Sequence, residues 1–276
     1  MRQPGRHVIS GPAGELVAWE HAGDAPATLL LHGIGNYGRY WDLVAREVNR
    51  RLSLVAPDAR GHGDSVKPAN GYATEDFVAD TLAILDALTL DRVVLVGHSM
   101  GGGHAIALAR LHPERVHGLV VVDVGPELLP EGRARSIRLS LERPPSFPDE
   151  AAALAYLHET SPGYGDEVYR NRIDWVFRHA PEGLAWRSSA DALRQILTET
   201  RRAEALWDVL GALHVPTLVV RGTRSNILGA ETARRMVETL PDGRLLELDA
   251  GHNVPLDQPR AFADALVAFS RETTAH

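Results

Sequence analysis

Val93-Val94-Leu95-Val96-Gly97-His98-Ser99-Met100-Gly101-Gly102 is an apolar, β-branched run that breaks at glycines around one serine and passes into an alanine-rich segment. The run predicts a strand buried on both faces, and residues 105–111 predict the helix after it. Gly97 and Gly101 suit a strand that turns sharply into a helix. Such a turn forces an unfavourable backbone on its central residue and brings neighbouring chain too close for a Cβ. The Ser99 hydroxyl is then expected above the sheet edge, in front of the first amides of the helix, as a nucleophile elbow. A Gly-x-Ser-x-Gly pattern also arises by chance in ordinary loops, so its meaning rests on the segments around it.

Upstream, residues 7–10 and 15–21, separated by Gly11-Pro12-Ala13-Gly14, predict a leading β-hairpin. Residues 28–31 predict a buried strand that exits into His32-Gly33-Ile34-Gly35, and residues 52–56 another that exits into the glycine-rich loop from Asp58 to Ser65. Helical spacing is expected over 40–50 and 74–88, and a further strand over 119–123. Strands alternating with helices predict an α/β architecture, a mostly parallel doubly wound sheet with helices on both faces.

From about residue 127 to 210 the alternation stops, with helical segments and no convincing strand. It resumes with strands at 217–220 and 244–248 and helices at 230–240 and 259–270. Residues 1–126 and 211–276 therefore read as one core, and residues 127–210 as an inserted helical cap where the strands end. Tyr156, Tyr164, Tyr169, Trp175, Phe177, Trp186 and Trp207 all fall in this insertion. Most are expected to be cap core; Trp175 and Trp186, with Asn226 beyond the insertion, are the candidates for a substrate pocket.

Composition narrows the function classes. With 276 residues and 44% apolar content the chain can bury a large core. A formal charge of −7 offers no basic footprint for nucleic acid. The absence of cysteine excludes a disulfide, a thiolate nucleophile and a cysteine-bound metal. No run of about 18 apolar residues is present and the N-terminus lacks a signal-type apolar region, so no membrane partner and a cytoplasmic location are expected. Gly101-Gly102-Gly103 lacks the spaced glycines of a dinucleotide site, and the histidines show no metal-ligand spacing, so no cofactor or metal is expected.

A serine hydroxyl needs a base, and the base an orienting carboxylate. Behind an elbow the chain order is serine, acid, histidine, which selects His252 in Gly251-His252-Asn253 after the last strand, out of thirteen histidines. His32, His62 and His98 read as loop-packing residues.

With these segments in hand, the chain resembles the capped members of the α/β-hydrolase superfamily over essentially its whole length. The carrying motifs are His32-Gly33-Ile34-Gly35, Asp58-Ala59-Arg60-Gly61-His62-Gly63-Asp64-Ser65, Gly97-His98-Ser99-Met100-Gly101-Gly102 and Gly251-His252. The resemblance implies the α/β-hydrolase fold and an oxyanion hole formed by the backbone amides of Ile34 and Met100. In one respect the chain departs from the pattern. The usual acid position, after the strand that follows the cap, reads Gly222-Thr223-Arg224-Ser225-Asn226 and holds no carboxylate. Asp123, at the end of the strand after the elbow helix, stands one strand away from Ser99 and can reach His252. Two arrangements therefore stand at this point: Asp123 as the acid, or Asn226 as a neutral orienting amide.

The resemblance implies a cofactor-independent serine hydrolase acting on a small, mostly apolar carboxylic ester or lactone through an acyl-enzyme. Its alternatives are hydrolysis of a C–C or amide bond on the same triad, or a slow-turnover ligand receptor. Substrate identity and oligomeric state are not specified by these motifs.

Overall fold

The computed structural model describes residues 3–198 and 203–275; the part of the expected cap at residues 199–202 lies outside them. In chain order the first elements are β1 (Gly5–Gly11), β2 (Gly14–His21), β3 (Ala27–Leu31), helix α1 (Asp42–Val48), β4 (Ser53–Pro57), α2 (Thr74–Ala87), β5 (Val93–His98), α3 (Met100–Leu111) and β6 (Val116–Val122). After an inserted segment come β10 (Thr217–Gly222), α9 (Ala230–Thr239), β11 (Gly243–Leu248), α10 (Val254–Asp257) and α11 (Pro259–Thr273). The insertion itself holds α4 (Pro130–Leu141), β7 (Ser146–Phe147), α5 (Glu150–Thr160), α6 (Asp166–Val176), β8 (Phe177–Ala180), β9 (Gly183–Trp186), α7 (Ala190–Thr198) and α8 (Ala203–Gly211).

Eight strands form one sheet in the order β1-β2-β4-β3-β5-β6-β10-β11. The β1-β2 and β2-β4 pairs are antiparallel and the rest parallel, so β5, which carries the serine turn, lies in the interior of the sheet. The period of two along each strand divides the apolar residues between two layers. Val94, Val96, Val120 and Val220 face Trp41, Val44, Phe262 and Leu266 of the α1 and α11 side. Leu95, Val121 and Val219 face Ile84, Leu108 and Met236 of α2, α3 and α9. With both faces covered, the strands read as continuous apolar runs, and that made them legible in the sequence.

Two expectations are corrected. The elbow helix begins at Met100 rather than 105, its first turn being Met100-Gly101-Gly102-Gly103. The insertion is not wholly helical: β7, β9 and β8 form a separate three-stranded antiparallel sheet. Its strands are two and four residues long, too short to display alternation, and Arg178 and His179 of β8 are exposed, which gave that stretch a polar appearance. Among the described residues no helix is long and apolar enough to cross a membrane.

Candidate active site

Ser99 stands between β5 and α3 with φ 53° and ψ −119°, in the region that side chains rarely adopt. Close packing enforces this turn. A Cβ on Gly97 would stand 2.3 Å from the Gly101 carbonyl oxygen, and one on Gly101 would stand 2.5 Å from that of Leu31. The Ser99 amide donates to the Val122 carbonyl (3.0 Å), which ties the turn to the end of the neighbouring strand. The serine hydroxyl itself makes no hydrogen bond to a described residue and opens into a cavity that it shares with His252.

Asp123 is the first residue past β6. It is fully buried, with φ 51°, a conformation aspartate tolerates better than most residues. Its Oδ2 lies 2.8 Å from His252 Nδ1, and its Oδ1 accepts the Gly222 amide at 3.0 Å. Ser225 occupies the loop position where the resembling enzymes carry their acid. Its hydroxyl donates to Asp123 Oδ2 and accepts the Ile227 and Leu228 amides at 3.0 and 3.2 Å. The carboxylate is thus fixed from the very loop that lacks one. Asn226 makes no hydrogen bond to His252 and is a wall residue of the cavity.

The Nδ1–H of His252 faces a carboxylate, so the neutral ring carries its lone pair on Nε2, which has no hydrogen-bond partner among the described residues. The amides of Ile34 and Met100 likewise have no acceptor there, while their neighbours do: the Asn36 amide donates to Gly33 and the Gly35 amide to His62 Nε2. Ser99 and Ile34 line both of two adjoining cavities, Met100 lines one of them and His252 the other. Such a set can deprotonate an alcohol, attack a carbonyl carbon and hold the resulting oxyanion.

The sequence model of the alpha/beta hydrolase fold matches residues 26–259. The chain belongs to the alpha/beta hydrolase fold family. A 3-hydroxybutyrate-oligomer hydrolase of Cupriavidus necator is 32% identical over 280 residues, covering 94% of this chain and 94% of that protein. An esterase of Mycobacterium tuberculosis is 31% identical over 263 residues, covering 91% and 85%. Among solved structures, E-2-(acetamidomethylene)succinate hydrolase superposes with a TM-score of 0.87 at 26% identity, covering 96% of this chain and 98% of that one.

In this alpha/beta hydrolase Ser99 lies between two cavities. The larger, about 430 Å³, is lined mainly by apolar side chains, including Ile106, Val124, Ile137, Leu206 and Leu210. The smaller, about 180 Å³, holds Ser99, His252, Asn226, Tyr156 and Trp186, together with three arginines. Trp186 lines the smaller cavity, its indole N–H donating to the Pro144 carbonyl at 2.7 Å. Trp175 lines neither cavity and packs edge-on against Trp19, under the Arg39 guanidinium 4.4 Å from its ring. It lies near the end of α6 and faces the β2 edge, a direction that aromatic identity alone does not reveal.

The histidines expected to be loop packing have definite tasks. His32 Nδ1–H donates to the Gly33 carbonyl and its Nε2 accepts the Ala59 amide; His62 Nδ1–H donates to the Arg60 carbonyl and its Nε2 accepts the Gly35 amide. Both rings must be neutral to bridge the Ile34 loop to the 58–65 loop. His98 donates from Nε2 to the His252 carbonyl at 3.0 Å, fixing the backbone beneath that ring. Asp58 ties down its own turn, accepting the Gly38 and Asp64 amides at 2.6 and 2.9 Å.

Burial lowers the pKa of His32 from 6.5 to about 4, and pushes His62 and His98 well below 6.5. The unfolded chain therefore binds protons below pH 6.5 that the folded chain refuses, and stability is lost as pH falls through that window. For His32 alone, a drop on the order of 3 kcal/mol in unfolding free energy is expected between neutral pH and the region of pH 4. Denaturant titrations across that range check it. A His32→Gln protein is expected to lose the part of the slope that His32 contributes; an unchanged slope contradicts the assignment.

Proposed function

We propose that this chain is a cofactor-independent serine hydrolase that cleaves a small, mostly apolar carboxylic ester or lactone through an acyl-enzyme on Ser99. The observation that carries the proposal is the unengaged Ser99 hydroxyl sharing a cavity with the unengaged Nε2 of a carboxylate-held His252. Ser99 Oγ attacks the carbonyl carbon while its proton passes to His252 Nε2, and the negative oxygen settles on the Ile34 and Met100 amides. Asp123 balances the imidazolium charge. Collapse breaks the C–O bond, and His252 returns the proton to the departing alkoxide. Water, deprotonated by His252, then attacks the acyl-enzyme, releases the acid and restores Ser99. The larger cavity suits an apolar arm of the substrate, and the segment of residues 127–210 acts as a cap, since α4, α7 and α8 supply much of its wall.

An esterase and a 3-hydroxybutyrate-oligomer hydrolase among the relatives favour ester chemistry. Hydrolysis of a C–C or amide bond on the same residues is the second reading, since a 2-(acetamidomethylene)succinate hydrolase of Mesorhizobium japonicum is 28% identical over 80% of this chain. A cytoplasmic setting, with no nucleic-acid or membrane partner, belongs to the same proposal. The test is rapid-mixing kinetics with p-nitrophenyl esters of increasing acyl length, beside the matching anilides. A burst of one nitrophenol per chain followed by steady turnover is expected for the esters. A burst without turnover makes the chain a slow ligand receptor, and turnover of anilides alone makes it an amidase.

A further inference from the structure

The smaller cavity beside Ser99 is lined by Arg135, Arg143 and Arg172 and, among the described residues, by no carboxylate. Arg135 is exposed and donates to the Thr160 carbonyl. The other two are only partly exposed, and neither has a carboxylate of a described residue within 4 Å. Arg143 is held in place: it donates to the Ser188 hydroxyl and carbonyl at 2.9 and 3.0 Å and stacks over Trp186 with its guanidinium 4.2 Å from the ring. Two of its five N–H groups are so used and the rest are unspent. Arg172 makes no hydrogen bond or ion pair within the described residues. The Tyr156 hydroxyl, on the wall of the same cavity, is also without a hydrogen-bond partner among the described residues.

Cations drawn out of water without a counter-charge are costly, and a fixed planar donor set beside a reacting serine matches a carboxylate. Burial brings the Arg143 guanidinium down to about 10, the signature of a cation whose neighbourhood supplies no anion of its own. Burial also raises the Tyr156 phenol, and Arg143 and Arg172 are the cations near enough to oppose that rise. Among the described residues, Glu159 is exposed on α5 outside the cavity wall, and Asp257 accepts the Gly251 amide at 2.6 Å. Ser140, Arg143 and Trp186 also border an outer depression whose rim carries Arg6, Lys67, Arg178 and Arg187 against the single carboxylate of Asp64. An anion approaching from that side meets positive potential along its path.

We infer that Arg143 and Arg172, together with the Tyr156 hydroxyl, form a carboxylate-binding site beside Ser99, so that the substrate carries a free carboxylate in addition to its apolar arm. The inference rests on the serine hydrolase proposal and narrows it to anionic esters, with the apolar arm in the larger cavity and the anion in the smaller.

The test uses matched pairs in which only charge differs. Monoethyl adipate is set against diethyl adipate for an anion on the acyl side, and 3-(butyryloxy)propanoate against its methyl ester for an anion on the alcohol side, with acid release followed by pH-stat. In at least one pair the carboxylate form is expected to have the higher kcat/KM by about ten- to a hundredfold, the scale of a charge-assisted hydrogen-bonded pair. Arg143→Gln and Arg172→Gln are each expected to bring that ratio toward one, mainly through KM, and Arg143→Lys to restore part of it. Calorimetric binding of the same pairs to the Ser99→Ala protein gives the comparison with both arginines intact, and the monoanion is expected to bind at least about tenfold tighter. Neutral partners that equal or exceed the carboxylates in both assays overturn the anion site and leave ester hydrolysis standing. A ratio that neither arginine substitution moves also overturns it. If none of the four esters is cleaved and none binds, the hydrolase proposal fails and this inference with it.

Discussion

Replacing Ser99 by alanine is expected to lower kcat for the best ester by on the order of 10⁶ while leaving the fold intact. The scale follows from what is removed. Without the Oγ no acyl-enzyme forms, and His252 has no hydroxyl to deprotonate, so only the free amides of Ile34 and Met100 and the positioning of the substrate are left to act. Folding should survive because alanine keeps the Cβ already accommodated at φ 53° and because the serine hydroxyl has no hydrogen bond to lose among the described residues. Substrate binding, measured by calorimetry, is expected to stay within about threefold, since the cavity walls lose only one hydroxyl. Turnover within tenfold of the parent, in a sample whose unfolding curve matches, would mean that another residue performs the attack.

The second large effect concerns the acid. Asp123→Asn is expected to reduce kcat by about 10⁴, because an amide opposite Nδ1 favours the wrong tautomer of His252 and removes the charge that balances its imidazolium. Geometry makes this substitution more damaging than its size suggests. Asp123 Oδ2 serves His252 and the Ser225 hydroxyl, and Oδ1 accepts the Gly222 amide, so an asparagine must present its NH₂ to at least one donor. Asn226→Ala is expected to cost about tenfold or less, as Asn226 touches the cavity but not the imidazole. Asn226→Asp should not raise activity. Rate constants for the three variants, each checked by circular dichroism, decide between the carboxylate and the neutral amide: the reverse ranking would make Asn226 the orienting group.

Much of this site was legible in the sequence, for reasons that can be named. Ser99 is marked by glycines at 97 and 101, whose place no larger residue can take without meeting backbone carbonyls. Asp123 is marked by topology as one of two candidates: the next strand of a parallel sheet ends beside the elbow, while Asn226, in the stretch 222–226 that holds no carboxylate, was the other. His252 follows from chain order once the elbow is accepted.

What stayed hidden depends on side-chain direction and on the packing of the insertion. Ser225 looked like a missing acid, yet its hydroxyl donates to the Asp123 carboxylate. A hydroxyl-bearing residue at that position is the one signal that could have pointed there. Arg143 follows α4 and Arg172 lies on α6, elements brought together only by the folding of the insertion, and nothing in their local sequence separates them from the chain's many exposed arginines. Trp175 misled for the same reason: an aromatic residue in the insertion advertises burial but not which wall it joins. The small sheet of the insertion escaped because strands of two and four residues carry too little periodicity to be seen.

The most direct measurement of the central claim is labelling with an alkyl fluorophosphonate, which reacts with a serine only where a base and an oxyanion hole activate it, followed by intact mass and peptide mapping. One phosphonyl group per chain, located on Ser99, with esterase activity falling in step with its incorporation, is the expected result. A label on any other residue, or full turnover retained by a chain fully labelled at Ser99, would contradict it.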